Sequence, residues 1–160
     1  MDLATILENV PLAPLGPGSP VEAMRPALEA MLFADLDREA ANACRAGLWL
    51  AFGFLDESHA VSQESATPEG SYWHALMHRR EPDGANAKYW FRKVGAHPVY
   101  AMLSAEAAKL GWRAWDAMAF VDECEKHRGT GGERETLLRE TQLAEWRALF
   151  GWCWGGMTKR

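Results

Sequence analysis

The run from Ala46 to Leu55 constrains the fold most, because it contains no hydrogen-bonding or charged side chain except the indole of Trp49. A helix without a polar face is normally buried on all sides. The run continues directly from helix-forming residues that begin at Arg38, so the sequence predicts a central helix from Arg38 to Phe54. A buried strand is the competing interpretation. The run is too short to cross a bilayer.

The rest of the chain favours an all-α fold. No stretch alternates strongly between apolar and polar residues, and the chain of 160 residues is of a size typical of one domain. We therefore expect a single bundle-like helical domain over residues 1–160, with six or seven helices. Residues 1–20 are predicted to form an N-terminal arm with an extended connector, because proline fixes φ and lacks an amide donor. That connector contains Pro11, Pro14, Pro17 and Pro20.

The net charge and the cysteine content limit the expected binding partners and the expected cellular location. The net charge is −5 and no long basic run occurs, so nucleic-acid binding lacks its usual electrostatic basis. Cys44, Cys124 and Cys153 are widely spaced, which predicts reduced thiols in a cytoplasmic protein. The N-terminus has no basic region followed by an apolar run, so neither a secretory signal nor a membrane span is expected.

The segment from residue 54 to residue 99 is the predicted functional segment. It holds four of the five histidines, and His74, His78 and Glu81 are spaced at i, i+4 and i+7. In a helix that spacing places the three side chains on one face. Two imidazoles and a carboxylate in one stripe suit a metal site or acid–base catalysis, so these three residues are the candidate catalytic residues.

A metal site is one interpretation of this stripe. The candidate ligands are His59, His74, His78 and Glu81, which favour a divalent transition metal such as zinc, iron, manganese or nickel over calcium. The spacing alone is not specific, and the glutamate of the H-E-x-x-H motif is missing because Ala75 follows His74.

The neighbouring residues suggest a pocket for a small polar or anionic molecule, with metal-dependent, hydrolase-like turnover as one version of the hypothesis. The candidate ligand-binding residues combine aromatic walls with polar and cationic groups. They are Trp73, Arg79, Arg80, Asn86, Trp90 and Arg92. The alternative is a structural or interaction domain without catalysis, in which Glu81 pairs with Lys88 or Arg92 in a buried salt-bridge network.

Other features of the sequence also bear on a possible chemical function. Asp56 and Glu57 fall near the end of the predicted central helix, where negative charge is disfavoured, so they indicate either a site or an earlier helix end. There is no G-x-S-x-G motif and no phosphate-binding loop. The tryptophans of the segment 151–156 are expected to cover the core or to contact a second copy in a homodimer.

One long sequence motif resembles a motif found in a group of other proteins. It comprises Asp56-Glu57-Ser58-His59, then SYWHxxMHRREPD from Ser71 to Asp83, then NAKYWFRxVGxHP from Asn86 to Pro98. This string resembles a group of uncharacterised, mostly bacterial proteins that carry it nearly unchanged, over about residues 45–100. The resemblance implies no established activity, so no catalytic residue is transferred from it.

Overall fold

The computed structural model describes residues 1–157 and is all-helical over that range. Its α-helices are α1 (Leu3–Glu8), α2 (Arg25–Glu29), α3 (Arg38–Ala51), α4 (Leu55–Ser62), α5 (Pro68–Arg80), α6 (Gly84–Val94), α7 (Pro98–Met102), α8 (Ser104–Lys109), α9 (Ala117–His127) and α10 (Glu133–Gly151). A 3-10 turn (Glu22–Met24) precedes α2, and a π-helical segment (Trp152–Gly156) follows α10. The all-α class is confirmed. The predicted number of six or seven helices is wrong, since residues 1–157 contain ten.

The predicted central helix ends three residues earlier than expected, before a turn at a glycine. Helix α3 ends at Ala51, and α4 begins at Leu55. Between them Gly53 has a φ of +84°, a left-handed conformation that glycine adopts at little cost. A Cβ at this position would also lie 2.9 Å from the carbonyl oxygen of Ser19. The chain therefore turns where the apolar pattern alone suggested a continuous helix.

This turn changes the meaning of Asp56 and Glu57. They lie in the first turn of α4, not at the end of α3. Negative charge is favourable at a helix N-terminus, so the two acids obey the local rule. Glu57 also accepts a 2.7 Å hydrogen bond from Arg25. The interpretation in which the central helix ends early is correct, and these acids give no indication of a site.

Helix α5 is the centre of the molecule. All its residues from Glu69 to Arg80 are buried, and it packs against α3, α4 and α6. The Thr67 hydroxyl caps its start by accepting from the Gly70 amide, and Pro68 occupies the first turn. Where α5 crosses α3, a Cβ on Gly47 would lie 2.7 Å from the Trp73 ring. The missing side chain at Gly47 therefore allows the two helices to approach closely.

The proline-rich connector contains no helix between residues 10 and 20, and helical side chains bind its backbone. Its carbonyl oxygens accept hydrogen bonds from Arg80, Arg128, Arg139 and Gln142. These donors replace the partners that an extended segment lacks within itself. The arm is thereby fixed across α5 and α10.

The three cysteines are free and buried, and burial raises the pKa of each thiol. Protonated thiols are poor nucleophiles, in line with the weak case for a cysteine nucleophile in the sequence. In the described part of the chain, no helix is both long enough and apolar enough to cross a membrane.

Candidate functional site

Three histidine side chains meet between α4 and α5. His59 comes from α4, and His74 and His78 come from successive turns of α5. The ring centroids are 4.6 Å apart for His59 and His74, 5.5 Å for His59 and His78, and 4.8 Å for His74 and His78. Each ring offers one nitrogen that lies within 4.8 Å of the nitrogens offered by the other two. We call these three residues the histidine cluster.

The helices position the cluster for simple reasons. His74 and His78 share a face of α5 because they are four residues apart, as the sequence predicted. His59 is brought to them by α4, which is held to α3 by a 2.9 Å hydrogen bond from the Ser58 hydroxyl to the Ala46 carbonyl oxygen. Since Ser58 is buried against α3, the adjacent His59 is directed toward α5.

His78 is oriented by partners at both ring nitrogens. Its Nδ1 lies 2.6 Å from Glu81 Oε2, and its Nε2 lies 3.2 Å from Asn86 Nδ2. An ionised carboxylate only accepts, so Nδ1 donates to Glu81. In the neutral ring Nε2 then carries a lone pair, which accepts from the Asn86 amide. A carboxylate behind a histidine in this way is the arrangement that orients histidine ligands in metal sites.

His74 is the most buried member of the cluster, with 3 % of its surface exposed. Its ring stacks on Trp90 at a centroid distance of 3.9 Å, and the Lys93 ammonium lies 4.7 Å from the centroid of the same Trp90 ring system. Burial lowers the pKa of His74 to about 4, and His78, His59 and Lys93 add to this effect. The ring is therefore neutral at pH 7. Its Nδ1 is buried and has no hydrogen-bond partner among residues 1–157.

The cluster is accessible on one side. His59 is half-buried, and the Glu81 side chain is 51 % exposed. A second group of possible metal ligands continues from His78 toward solvent through Glu81 and Asp83. Asp83 was not among the predicted site residues. It follows the Glu81-Pro82 turn directly, and its Oδ1 caps α6 by accepting from the backbone N–H of Asn86.

The structure brings together six of the predicted site residues. They are His59, His74, His78, Glu81, Asn86 and Trp90. The other four predicted ligand-binding residues, namely Trp73, Arg79, Arg80 and Arg92, lie elsewhere. Trp73 is fully buried where α5 crosses α3, and Arg92 is exposed on α6 in the wall of a different cavity. We do not include these four residues in the site.

Arg79 has a protein partner that the sequence did not reveal. Its Nη2 lies 2.7 Å from Glu145 Oε2 on α10, and both side chains are almost completely buried. Tyr72 donates a second hydrogen bond, of 2.9 Å, to Glu145. Burial acts to lower the pKa of Arg79, but Glu145 outweighs it and the pKa is raised. The sequence signal for Glu145 was its position on the apolar face of α10, between Leu138 and Leu149.

Arg80 binds only backbone carbonyl oxygens. It donates to Leu50 at 2.7 Å, to Gly16 at 3.1 Å and to Pro17 at 3.2 Å. Burial lowers its pKa to about 10, so the guanidinium keeps its charge at pH 7. Arg80 thus joins α5 to α3 and to the N-terminal arm. A buried ion pair of the kind that the alternative interpretation requires exists at Arg79. Arg80 has no carboxylate partner among the described residues, Glu81 pairs with His78, and Lys88 pairs with Asp122.

Comparison of the chain with known protein families, with curated proteins and with solved structures gives no match. The geometry of the site is therefore the basis on which a function can be proposed.

Proposed function

We propose that this protein binds a divalent transition metal at His59, His74 and His78, and that the bound metal holds a small polar or anionic molecule. The observation that supports this proposal is the convergence of three ring nitrogens from two helices to within 4.8 Å of one another. Buried polar atoms are rarely left without a partner, and one of these rings has such an atom at Nδ1.

The chemistry of the ligands limits which metals can bind at this site. Imidazole nitrogens suit zinc, iron, nickel and copper, and neighbouring carboxylates extend the choice to manganese. Three protein ligands leave at least one coordination position for water or substrate, which is typical of catalytic zinc sites. A metal-bound water at such a position supplies a nucleophile at neutral pH, so hydrolysis is the reaction class that we propose.

The residues around the cluster would assist this function. Glu81 holds the His78 ring so that Nε2 keeps its lone pair. A metal at Nε2 would replace the Asn86 side-chain amide that now donates to it, and would leave that N–H free for a ligand. The Lys93 ammonium over Trp90 adds positive charge near His74. An N–H donor and a cation favour an anionic or carbonyl-containing molecule. In this proposal His74, His78 and Glu81 serve the metal instead of acting independently as an acid and a base.

Metal titration tests the proposal directly. Protein purified without a histidine tag is expected to bind one Co²⁺ or Zn²⁺ per chain, measured by calorimetry and by the visible absorption of Co²⁺. His74→Ala is expected to weaken binding by more than about 100-fold, because loss of a ligand costs more than loss of an outer partner. His127→Ala is the matched control, since His127 lies outside the cluster and contacts Glu123. Absence of stoichiometric metal, or equal binding by both variants, contradicts the proposal.

The role of Glu81 can be separated from a structural role. Glu81→Gln is expected to weaken metal binding by about 10–100-fold, because it removes the carboxylate behind His78. The free energy of unfolding should change by less than about 1 kcal/mol, because the Glu81 side chain is half exposed. Asp122→Asn, at an exposed carboxylate paired with Lys88, is the control and should leave metal binding unchanged. A large loss of stability with intact metal affinity would instead favour the structural alternative.

We also propose that the protein acts in the cytoplasm, on the ground that its three cysteines are free and buried. The net charge of −5 and the absence of a long basic run argue against nucleic acid as a partner. A structural function of the whole protein is the second candidate. The observation in its favour is the buried Arg79–Glu145 pair, and that pair lies outside the histidine cluster.

A further inference from the structure

A second group of possible metal ligands adjoins the histidine cluster. His78, Glu81 and Asp83 each offer one ligand atom, and these atoms lie within 4.8 Å of one another. His78 belongs to both groups, so the two candidate sites share one imidazole ring. We call this second group the outer site. Its two carboxylates are not ligands of the metal that we propose in the histidine cluster.

The backbone brings the outer site together at the end of α5. The Asp83 amide donates a 2.7 Å hydrogen bond to the His78 carbonyl oxygen, so the chain turns back toward His78 directly after Glu81. Glu81 Oε2 lies 2.6 Å from His78 Nδ1. Asp83 Oδ1 caps α6, and its Oδ2 has no hydrogen bond or ion pair with the described residues 1–157. One oxygen of Asp83 is therefore free to bind a cation.

The outer site is much more exposed than the ring that it shares with the cluster. The Glu81 side chain is 51 % exposed, whereas the His78 side chain is 8 % exposed. Asp83 is half-buried, and His74 is deeper still. Carboxylates attract cations from solvent more strongly than neutral rings do. A divalent cation that approaches from this side therefore meets the two carboxylates before it meets the buried imidazoles.

The two sites also differ in the ligands that they offer. The outer site combines one ring nitrogen with two carboxylates, and the histidine cluster offers three ring nitrogens. Imidazole suits zinc, iron and nickel, whereas carboxylates suit harder cations such as magnesium and manganese. A metal such as zinc or cobalt is therefore held more firmly in the cluster, which makes movement from the outer site to the cluster favourable.

The shared ring allows one site to be filled at a time, because a neutral imidazole carries one lone pair and one N–H. A metal in the cluster takes Nε2 of His78, and Nδ1 donates to Glu81. A metal in the outer site takes Nδ1, and Nε2 carries the proton. The Asn86 side-chain amide, 3.2 Å from Nε2, has both a donor and an acceptor and suits either form. Inward movement breaks the Nδ1–metal bond, forms the Nε2–metal bond and moves one proton from Nε2 to Nδ1 through water.

From these observations we infer that the outer site captures a divalent transition metal from solvent and passes it to the histidine cluster. The inference rests on the proposed function, because the cluster is the destination of the metal. It gives Asp83 a function in the entry of the metal and not in its final binding. The number of metals bound per chain stays at one.

The rates of Co²⁺ uptake and release by the full chain test this inference. Stopped-flow visible absorption measures uptake, and the same signal after addition of excess chelator measures release. In the variant Asp83→Asn the cap of α6 is kept, because asparagine caps helices as well as aspartate does. Both rates are expected to fall by about tenfold, because the cation loses a charged ligand on its way in and out. The equilibrium affinity is expected to stay unchanged, because a residue that acts only on the path affects both directions equally.

Asp122→Asn is the matched control. It removes the same charge from an exposed carboxylate that pairs with Lys88 of α6, and it should leave both rates unchanged. Slowing of both rates in Asp83→Asn but not in Asp122→Asn supports the inference.

Three results would overturn the inference. They are equal rates for wild type and Asp83→Asn, a loss of equilibrium affinity in Asp83→Asn with unchanged uptake, and the binding of two Co²⁺ per chain. The second result would make Asp83 a ligand of the final site. Failure of the proposed function is distinguishable from these results, because wild type and His74→Ala would then bind Co²⁺ equally at equilibrium.

Discussion

Glu145→Ala is expected to lower the free energy of unfolding by about 3–5 kcal/mol, because it leaves the Arg79 guanidinium charged and without its counterion in the core. Both side chains are at most 1 % exposed. No other hydrogen bond would compensate for this loss, since Nε and Nη1 of Arg79 have no hydrogen-bond partner within residues 1–157. The guanidinium also lies over the Phe120 ring, 4.6 Å from its centroid. Tyr72 would also lose the acceptor of its hydroxyl. Urea unfolding followed by circular dichroism measures the effect.

The control for Glu145→Ala is an ion pair at the surface. Lys88→Ala removes a 2.6 Å pair with Asp122 whose side chains are 31 % and 66 % exposed. Water screens such pairs, so the loss should be less than about 1 kcal/mol. The double variant Arg79→Met/Glu145→Leu is expected to recover much of the stability, because apolar groups of similar size can replace a buried ion pair. Equal effects of Glu145→Ala and Lys88→Ala would show that the buried pair is not a major determinant of stability.

Metal binding is expected to stabilise the fold by about 3 kcal/mol when the free metal concentration is 100 times Kd, since a ligand that binds only the folded state stabilises it by mass action. Thermal unfolding with and without Zn²⁺ measures this difference. The wild type should melt at a higher temperature in Zn²⁺, and His74→Ala should not respond. The zinc-free form of His74→Ala is expected to be less stable than the wild type, because the substitution removes a buried ring that stacks on Trp90. The test is therefore the change that zinc causes in each protein.

The contrast between the two experiments separates the roles of the charged segment. Arg79 and its partner affect stability with or without metal, because their charges are matched inside the protein. The histidine cluster is expected to add stability in response to metal, because a metal would bind its nitrogens only in the folded state. A zinc response that persists in both His74→Ala and His78→Ala would place the metal elsewhere, and His127→Ala would then become the informative variant.

Local rules correctly predicted that His74 and His78 share one face of a helix. The i, i+4 spacing of His74 and His78 required no tertiary information beyond the helix itself, and both lie on α5, which begins at Pro68 after a Thr67 cap. That His59 joins them was an expectation from sequence proximity, and the structure places its ring beside both. The alternative in which Glu81 pairs with Lys88 or Arg92 was wrong. Glu81 pairs instead with His78, which lies three residues earlier and one helical turn away.

The structure places Arg79 and Arg80 away from the histidine cluster for a physical reason. Successive residues of a helix point in directions about 100° apart, so a string such as His78-Arg79-Arg80 cannot serve a single pocket. Here His78 faces α4 and α6, Arg79 faces α10, and Arg80 faces α3 and the arm. A dense run of polar residues in the sequence is therefore shared among three surroundings.

The sequence by itself determined the helical class, the apolar centre and the face of α5 that carries two imidazoles, because these follow from periodicity over a few residues. Only the tertiary structure decided the turn at Gly53, the approach of His59 to the α5 pair and the burial of Arg79 against Glu145. Those features depend on contacts between residues far apart in the chain, such as the 66 positions between Arg79 and Glu145. Local patterns specify which side of a helix is polar, whereas packing specifies what that side meets.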